Sequence, residues 1–311
     1  FPILLNTNAR ADESNLVGAL QNTYSACVGI DAALADLKKM AGINTAITGV
    51  GTGLGVGATV VGIVKENKDK ARNEISVQLQ KLRELESDNK IIESTESDAE
   101  KFQQEFQSSY TSSIKEIERL EKEREELDKQ SKSLGNWRTG LLAGNTATNV
   151  AGAIIAGNNK TDGDLQNQID NCKAAIGELR RARARARIDG TDTGEANAII
   201  SACEGFETVD ISKINGRAKG AMISSAVGAG LGLTGTITSG IANSDSVRSQ
   251  KNEDGTRTDK EKNLNTASNV LAGGATGASA VATIFNATQI GAIKKAVATA
   301  DKCEEDRKSV V

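Results

Sequence analysis

Long uncharged, glycine-rich stretches alternate along this chain with stretches dense in charge, and the alternation is mirror-symmetric about two points. Ile43 to Val64 and Thr139 to Asn158 flank the charged run Lys65 to Leu134, while Ala221 to Ser244 and Leu264 to Ala292 flank a shorter polar run. Both midpoints read as turns. At the first, Ser94-Thr95-Glu96-Ser97-Asp98-Ala99-Glu100 places Ser97 and Glu100 at capping-box spacing, which starts a helix. At the second, Asn252-Glu253-Asp254-Gly255 supplies the positive-φ tolerance of a tight reversal. In the charged run, Ile75, Leu79 and Leu82 on one arm and Ile117, Leu120, Leu127 and Leu134 on the other fall on a 3/4 spacing, with steps of three, four or their sum of seven, a coiled-coil seam. Arms of roughly 35 residues, at about 1.5 Å each, extend about 50 Å beyond the glycine-rich segments. Glu86, Asn89 and Arg124 interrupt the seam, and one unbroken helix across residue 97 is the competing reading.

Inside the uncharged segments, small residues recur every fourth position. Gly140, Gly144, Thr148, Gly152 and Ala156 form one series, and Ser224, Gly228, Gly232, Thr236, Gly240 and Ser244 another. Gly273 and Gly277 mark a less regular one. Such stripes are flat, and helices meeting on them approach closely enough for backbone van der Waals and Cα–H···O contact. The first segment carries two stripes, Gly49, Gly53 and Gly57 on one face and Gly51 and Gly55 about 200° away. One face serves the hairpin partner and the other is left for the second hairpin or another chain. The run Gly49 to Gly55 also alternates with period two, which in isolation reads as a strand.

The pattern therefore predicts an all-α protein of two long antiparallel helical hairpins, meeting in a four-helix glycine-zipper layer with a projecting coiled-coil hairpin. The longer hairpin covers residues 12–188, the shorter 189–311, and Gly190-Thr191-Asp192-Thr193-Gly194 links them. Residues 1–11 read as a signal-peptide remnant ending in Ala9-Arg10-Ala11, or as an N-terminal arm that anchors as an apolar strand.

Composition agrees with helix: one proline and 3% aromatics among 311 residues leave no material for a thick globular core. Four cysteines sit at reflected positions, Cys27 and Cys172 about the first turn and Cys203 and Cys303 about the second. With no histidine and no C-x-x-C pair, they read as the disulfides 27–172 and 203–303 in an oxidising compartment, against a reading as four free thiols. Export to a bacterial envelope or the extracellular space follows.

A net charge of −3 gives no general attraction to nucleic acid. The basic run Arg180, Arg181, Arg183, Arg185 and Arg187 has no interleaved aromatics, and Glu304, Glu305 and Asp306 beyond Cys303 are placed to balance it. Asn159-Lys160-Thr161 and Asn286-Ala287-Thr288 match the glycosylation sequon. Histidine is absent as a base, and the glycine runs lack the Lys-Ser/Thr of a phosphate loop, so neither catalysis, a cofactor, a metal nor a small-molecule substrate is expected. The uncharged segments are long enough to cross a membrane, but Gly, Thr, Ser and Asn stand where Leu, Ile and Phe would favour insertion. Two functions follow from these features. The first is an exported structural protein that self-assembles through glycine-zipper helices into a homo-oligomer, tube or filament. The second is a pore-forming or translocator-type membrane protein touching lipid through the same segments. A coiled coil with weakly apolar glycine-rich hairpins is loosely similar to secretion-system translocators and helical pore-forming toxins.

Overall fold

In a computed structural model the chain is almost wholly helical. The structure describes the backbone of residues 3–93, 100–161 and 163–309, and the side chains of 14–84, 87, 110–161 and 163–305. The turn expected around Ser97, with its capping box, lies outside the described residues, as do the side chains of residues 1–11, Glu86, Asn89 and Asp306.

Helix α1 runs Ile3–Cys27, α2 Ile30–Glu93, α3 Glu100–Asn158, α4 Gly163–Ile188 and α5 Gly194–Cys203. A 3₁₀ turn at Glu204–Thr208 leads into α6, Ile211–Ala242, then the single turn α7, Asp245–Arg248, and α8, Asp259–Ser309. The apolar N-terminal stretch is thus helical from Ile3, and Gly49 to Gly55 is helical as well, so neither of the strand alternatives holds. A break the pattern did not reveal separates α1 from α2, where Gly29 takes φ +77°. After α4, Thr191 N–H donates to Ala186 O (2.9 Å) and Gly190 N–H to Arg187 O (3.3 Å), with Gly190 at φ +76°. This is a Schellman ending, the reason glycine opens the linker. The chain reverses again at Asn252 to Thr256, where Gly255 at φ +73° donates to Asn252 O and Lys251 bridges Arg257 antiparallel.

The chain divides into two compact units. One comprises Phe1–Gly49, Ala151–Ser225 and Ala280–Val311, the other Val50–Val150 and Ala226–Ser279, so α2, α3, α6 and α8 each supply residues to both. In the first unit α1 packs on α4, and Leu34, Ile169, Ile176, Leu179, Phe206, Ile214 and Ile293 form a conventional apolar core. Two disulfides staple that core, Cys27–Cys172 with Cα atoms 4.8 Å apart and Cys203–Cys303 with 4.4 Å. In the second unit the seam residues Ile75, Leu79, Ile117 and Leu120 are buried against one another, with Leu82 and Leu127 packed on them.

Candidate functional site

The glycine-rich segments are built inside out relative to a protein in water. In the second unit Asn145, Asn149, Ser239, Asn265 and Ser268 are buried, alongside a small apolar cluster of Ala58, Leu142 and Ala272. Val50, Val60 and Ile63 on α2, Leu233 and Ile237 on α6 and Val270 on α8 all point outward, each more than half exposed. The first unit repeats the pattern: Asn44, Thr48, Asn286 and Gln289 are buried while Ile154 and Ile284 are 60% and 62% exposed. Burying an amide is tolerable only with hydrogen-bond partners, and these amides bond one another. Asn149 Nδ2 donates to Asn145 Oδ1 (2.7 Å) and Ser279 Oγ (2.8 Å). Asn44 Nδ2 donates to Asn286 Oδ1 (2.9 Å), and Asn286 Nδ2 to Thr48 Oγ1 (3.3 Å).

The glycines that face inward are sockets for these polar side chains. A Cβ on Gly51 would meet Thr148 and Asn145, one on Gly55 Thr276 and Asn145, and one on Gly62 Asn269 and Arg138. Among the helix-packing positions read from sequence, Gly152 faces Thr48, Ser225 and Asn44, Gly228 faces Asn149, and Gly232 faces Thr146. Gly57 and Gly144 meet leucines instead, Leu141 and Leu54. At Gly49, Gly53, Gly140, Gly240, Gly273 and Gly277 a Cβ would have nothing within 4 Å among the described residues. Backbone ridges pressed together were the expectation; the inward stripes accept Asn, Thr and Ser, and six of the named glycines open outward.

Where the glycine-rich part of the second unit meets the coiled coil, a cluster of buried charge replaces the polar rungs. Lys65, Arg72, Arg138, Arg248 and Arg257 are each at most 5% exposed, as are Asp69 and Glu261. Asp69 accepts from Lys65 Nζ (2.7 Å), Ser131 Oγ (2.5 Å) and Arg257 Nη1 (3.3 Å). Asp128 accepts from Arg248 Nη2 (2.8 Å) and Arg72. Arg257 also reaches Glu66 (2.9 Å), and Lys251 reaches Glu261 (2.9 Å). Residues 248–261 therefore insert their charges against the base of the coiled coil, whose lower part is packed on rather than projecting alone. Burial alone would raise the Asp69 carboxyl, but the Lys65 ammonium, with Ser131 and Arg257, outweighs it and holds the group below its ordinary value. Burial holds the Lys65 ammonium below its usual value against the pull of Asp69.

The lowered Asp69 value has a sign. A carboxyl that titrates lower when folded adds stability that is present above pH about 4 and fades as the pH falls toward the folded value. Asp69→Asn is expected to cost about 2 kcal/mol at neutral pH, by weakening hydrogen bonds to two charged partners. Thermal denaturation from neutral to acid pH checks it: the parent should lose stability on acidification more steeply than the variant.

Beside this cluster lies an open cleft of about 600 Å³ lined by Arg72, Lys122, Arg124 and Lys251 and by Glu118, Glu121, Glu125 and Asp128. Its charges are balanced, four of each sign, which favours no ligand of one charge. No group of three or more metal-ligating side chains converges among the described residues. In the first unit, Arg180 pairs with Glu207 (2.8 Å) and Arg183 bonds Asn197 (3.2 Å), so Arg180 finds its acid in the 3₁₀ turn. Asn159 and Asn286, the acceptor residues of the two sequons, are buried at 1% and 0% exposure. The polar rungs and the charge cluster were not singled out from sequence; the i,i+4 pair Asn145 and Asn149 within the uncharged end of α3 was the available signal. Comparison of the chain with protein-family models, with curated proteins and with solved structures finds no match.

Proposed function

We propose that this chain is an exported, non-enzymatic membrane protein whose glycine-rich helical segments sit in lipid, of the pore-forming or translocator type. One observation carries the reading: aliphatic side chains cover the outside of these segments, and hydrogen-bonded Asn, Ser and Thr fill the inside. Water penalises that arrangement, since the apolar area outside stays hydrated and the amides inside lose their water. Lipid reverses the first term, and in hydrocarbon small residues and interhelical polar bonds are what hold helices together. Helical stretches within Ser14–Glu84, Gly194–Ala242 and Asp259–Glu305 are long and apolar enough to cross a membrane. Two disulfides fit an oxidising compartment.

Flotation on a density gradient with phosphatidylcholine vesicles tests this. The protein is expected to rise with the vesicles and to release an enclosed dye; protein that stays at the bottom would refute lipid embedding. A second reading is favoured by the outward glycines, Gly49, Gly53, Gly273 and Gly277, which leave bare backbone for a copy of the chain. In that case the apolar exterior is covered by self-assembly, and ordered particles form without lipid.

A further inference from the structure

We propose that on the second unit the boundary between lipid and water passes at the level of Val64, Trp137, Ile241 and Asn265, with Trp137 held among the headgroups. The proposal rests on the membrane reading above and adds where the lipid contact ends.

Contacts among four helices define the level. Lys65 Nζ donates to Asn265 Oδ1 (3.1 Å), joining α2 to α8. Asn243 Nδ2 donates to Asn136 Oδ1 (2.7 Å) and Lys132 O (3.0 Å), joining the end of α6 to α3. Gly62 faces both Arg138 and Asn269, which ties α2, α3 and α8 together at the same height. Three of the four, α2, α6 and α8, change character there in concert. On one side the outward residues are aliphatic, Val60 and Ile63 on α2, Ile237 and Ile241 on α6 and Val270 on α8. On the other they are charged, with Lys70 on α2, Lys132 on α3, Asp245 in the turn α7 just past α6 and Lys260 on α8 all exposed. One helix changing from apolar to charged is unremarkable. Three changing at one level describe a plane, and a plane is what a bilayer surface imposes on a protein.

Trp137 stands on that plane. It is the one tryptophan of the chain and is 67% exposed. Its ring borders an open groove of about 460 Å³ with Leu54, Gly140 and Leu141 on one hand and Ser133 and Asn136 on the other. An indole has an apolar body and an N–H that seeks a partner, so it is most stable where apolar and hydrated surroundings meet, which is the headgroup region. Arg138, next in sequence, is instead buried at 1% exposure and belongs to the interior of the same level. The charge cluster of Asp69, Asp128, Arg248 and Arg257 then lies on the watery side.

The test uses the intrinsic fluorescence of the full chain on phosphatidylcholine vesicles brominated near the carbonyl end or near the methyl end of the acyl chain. Trp137 emission is expected to shift to the blue on binding and to be quenched more strongly by the shallow bromines. A companion chain, Trp137→Phe with Val56→Trp, is expected to show the opposite preference, since Val56 lies on the aliphatic side. If the protein floats with the vesicles but Trp137 is quenched best by the deep bromines, or as freely by aqueous iodide as without lipid, the boundary is misplaced and the membrane reading stands. Failure to float overturns both.

Discussion

Replacing Cys27 and Cys172 together by alanine is expected to lower the stability of the oxidised protein by about 5 kcal/mol. The bridge joins residues 145 apart in sequence, and closing so long a loop removes much of the freedom of the unfolded chain, by about 5 kcal/mol in the chain-entropy model. Alanine is the right replacement because Cys172 is 1% exposed within an apolar core, where a serine hydroxyl would add a second penalty. The matching pair, Cys203 and Cys303, closes 100 residues, and the logarithm makes its loss nearly as large. Both bridges lie in the unit where α1 packs on α4. Thermal unfolding of the parent and of each double variant, with and without reductant, decides the matter. With reductant the parent and both double variants should melt together, without it the parent should melt highest, and a variant that melts with the oxidised parent would show the bridge to be energetically idle.

Gly228→Leu is expected to destabilise the fold by about 4 kcal/mol, whereas Gly240→Leu, on the same helix, is expected to be neutral or mildly stabilising. At Gly228 a Cβ alone would stand 2.8 Å from Asn149 Oδ1 and 2.9 Å from Asn149 Cγ. Leucine must push Asn149 off Asn145 and Ser279, so overpacking of about 1–3 kcal/mol combines with about 1–3 kcal/mol for buried amide groups left without partners. Around Gly240 nothing lies within 4 Å, and replacing an open helical glycine recovers up to about 1 kcal/mol of backbone entropy. Circular dichroism melts in mild detergent check the contrast. Equal effects at the two positions would show that the inward glycines are not sockets.

Much of the secondary structure was readable from the chain, because periodicity and turn chemistry are local. Ile75, Leu79, Ile117 and Leu120 gather in one cluster, and Asp254-Gly255 and Gly190 stand at turns of the backbone. The reflected cysteine positions selected both bridges. The direction each stripe faces was less readable. In the first segment Gly49, Gly53 and Gly57 and the opposed Gly51 and Gly55 are equivalent as a pattern, and nothing local says which stripe turns inward. The structure buries Gly51 and Gly55 because Thr148, Asn145 and Thr276 come from two other helices to fill them. The buried charges were hidden for a related reason. Lys65 to Leu134 looks like a solvated coiled-coil face until Arg248 and Arg257, more than a hundred residues later, supply the counter-charges.

That separation orders the biogenesis of the protein. Asp128 meets Arg72 within the long hairpin but waits 120 residues for Arg248, and Glu66 waits 191 residues for Arg257, so a ribosome delivers these carboxylates well before their partners from the second hairpin. Until then Glu66 keeps its hydration, and the base of the arms is held only by the bonds the long hairpin makes itself, Arg72 to Asp128 and Ser131 to Asp69. Arrival of the second reversal at Gly255 adds Arg248 and Arg257 to these bonds, so the last third of the chain acts as the clasp that completes the first.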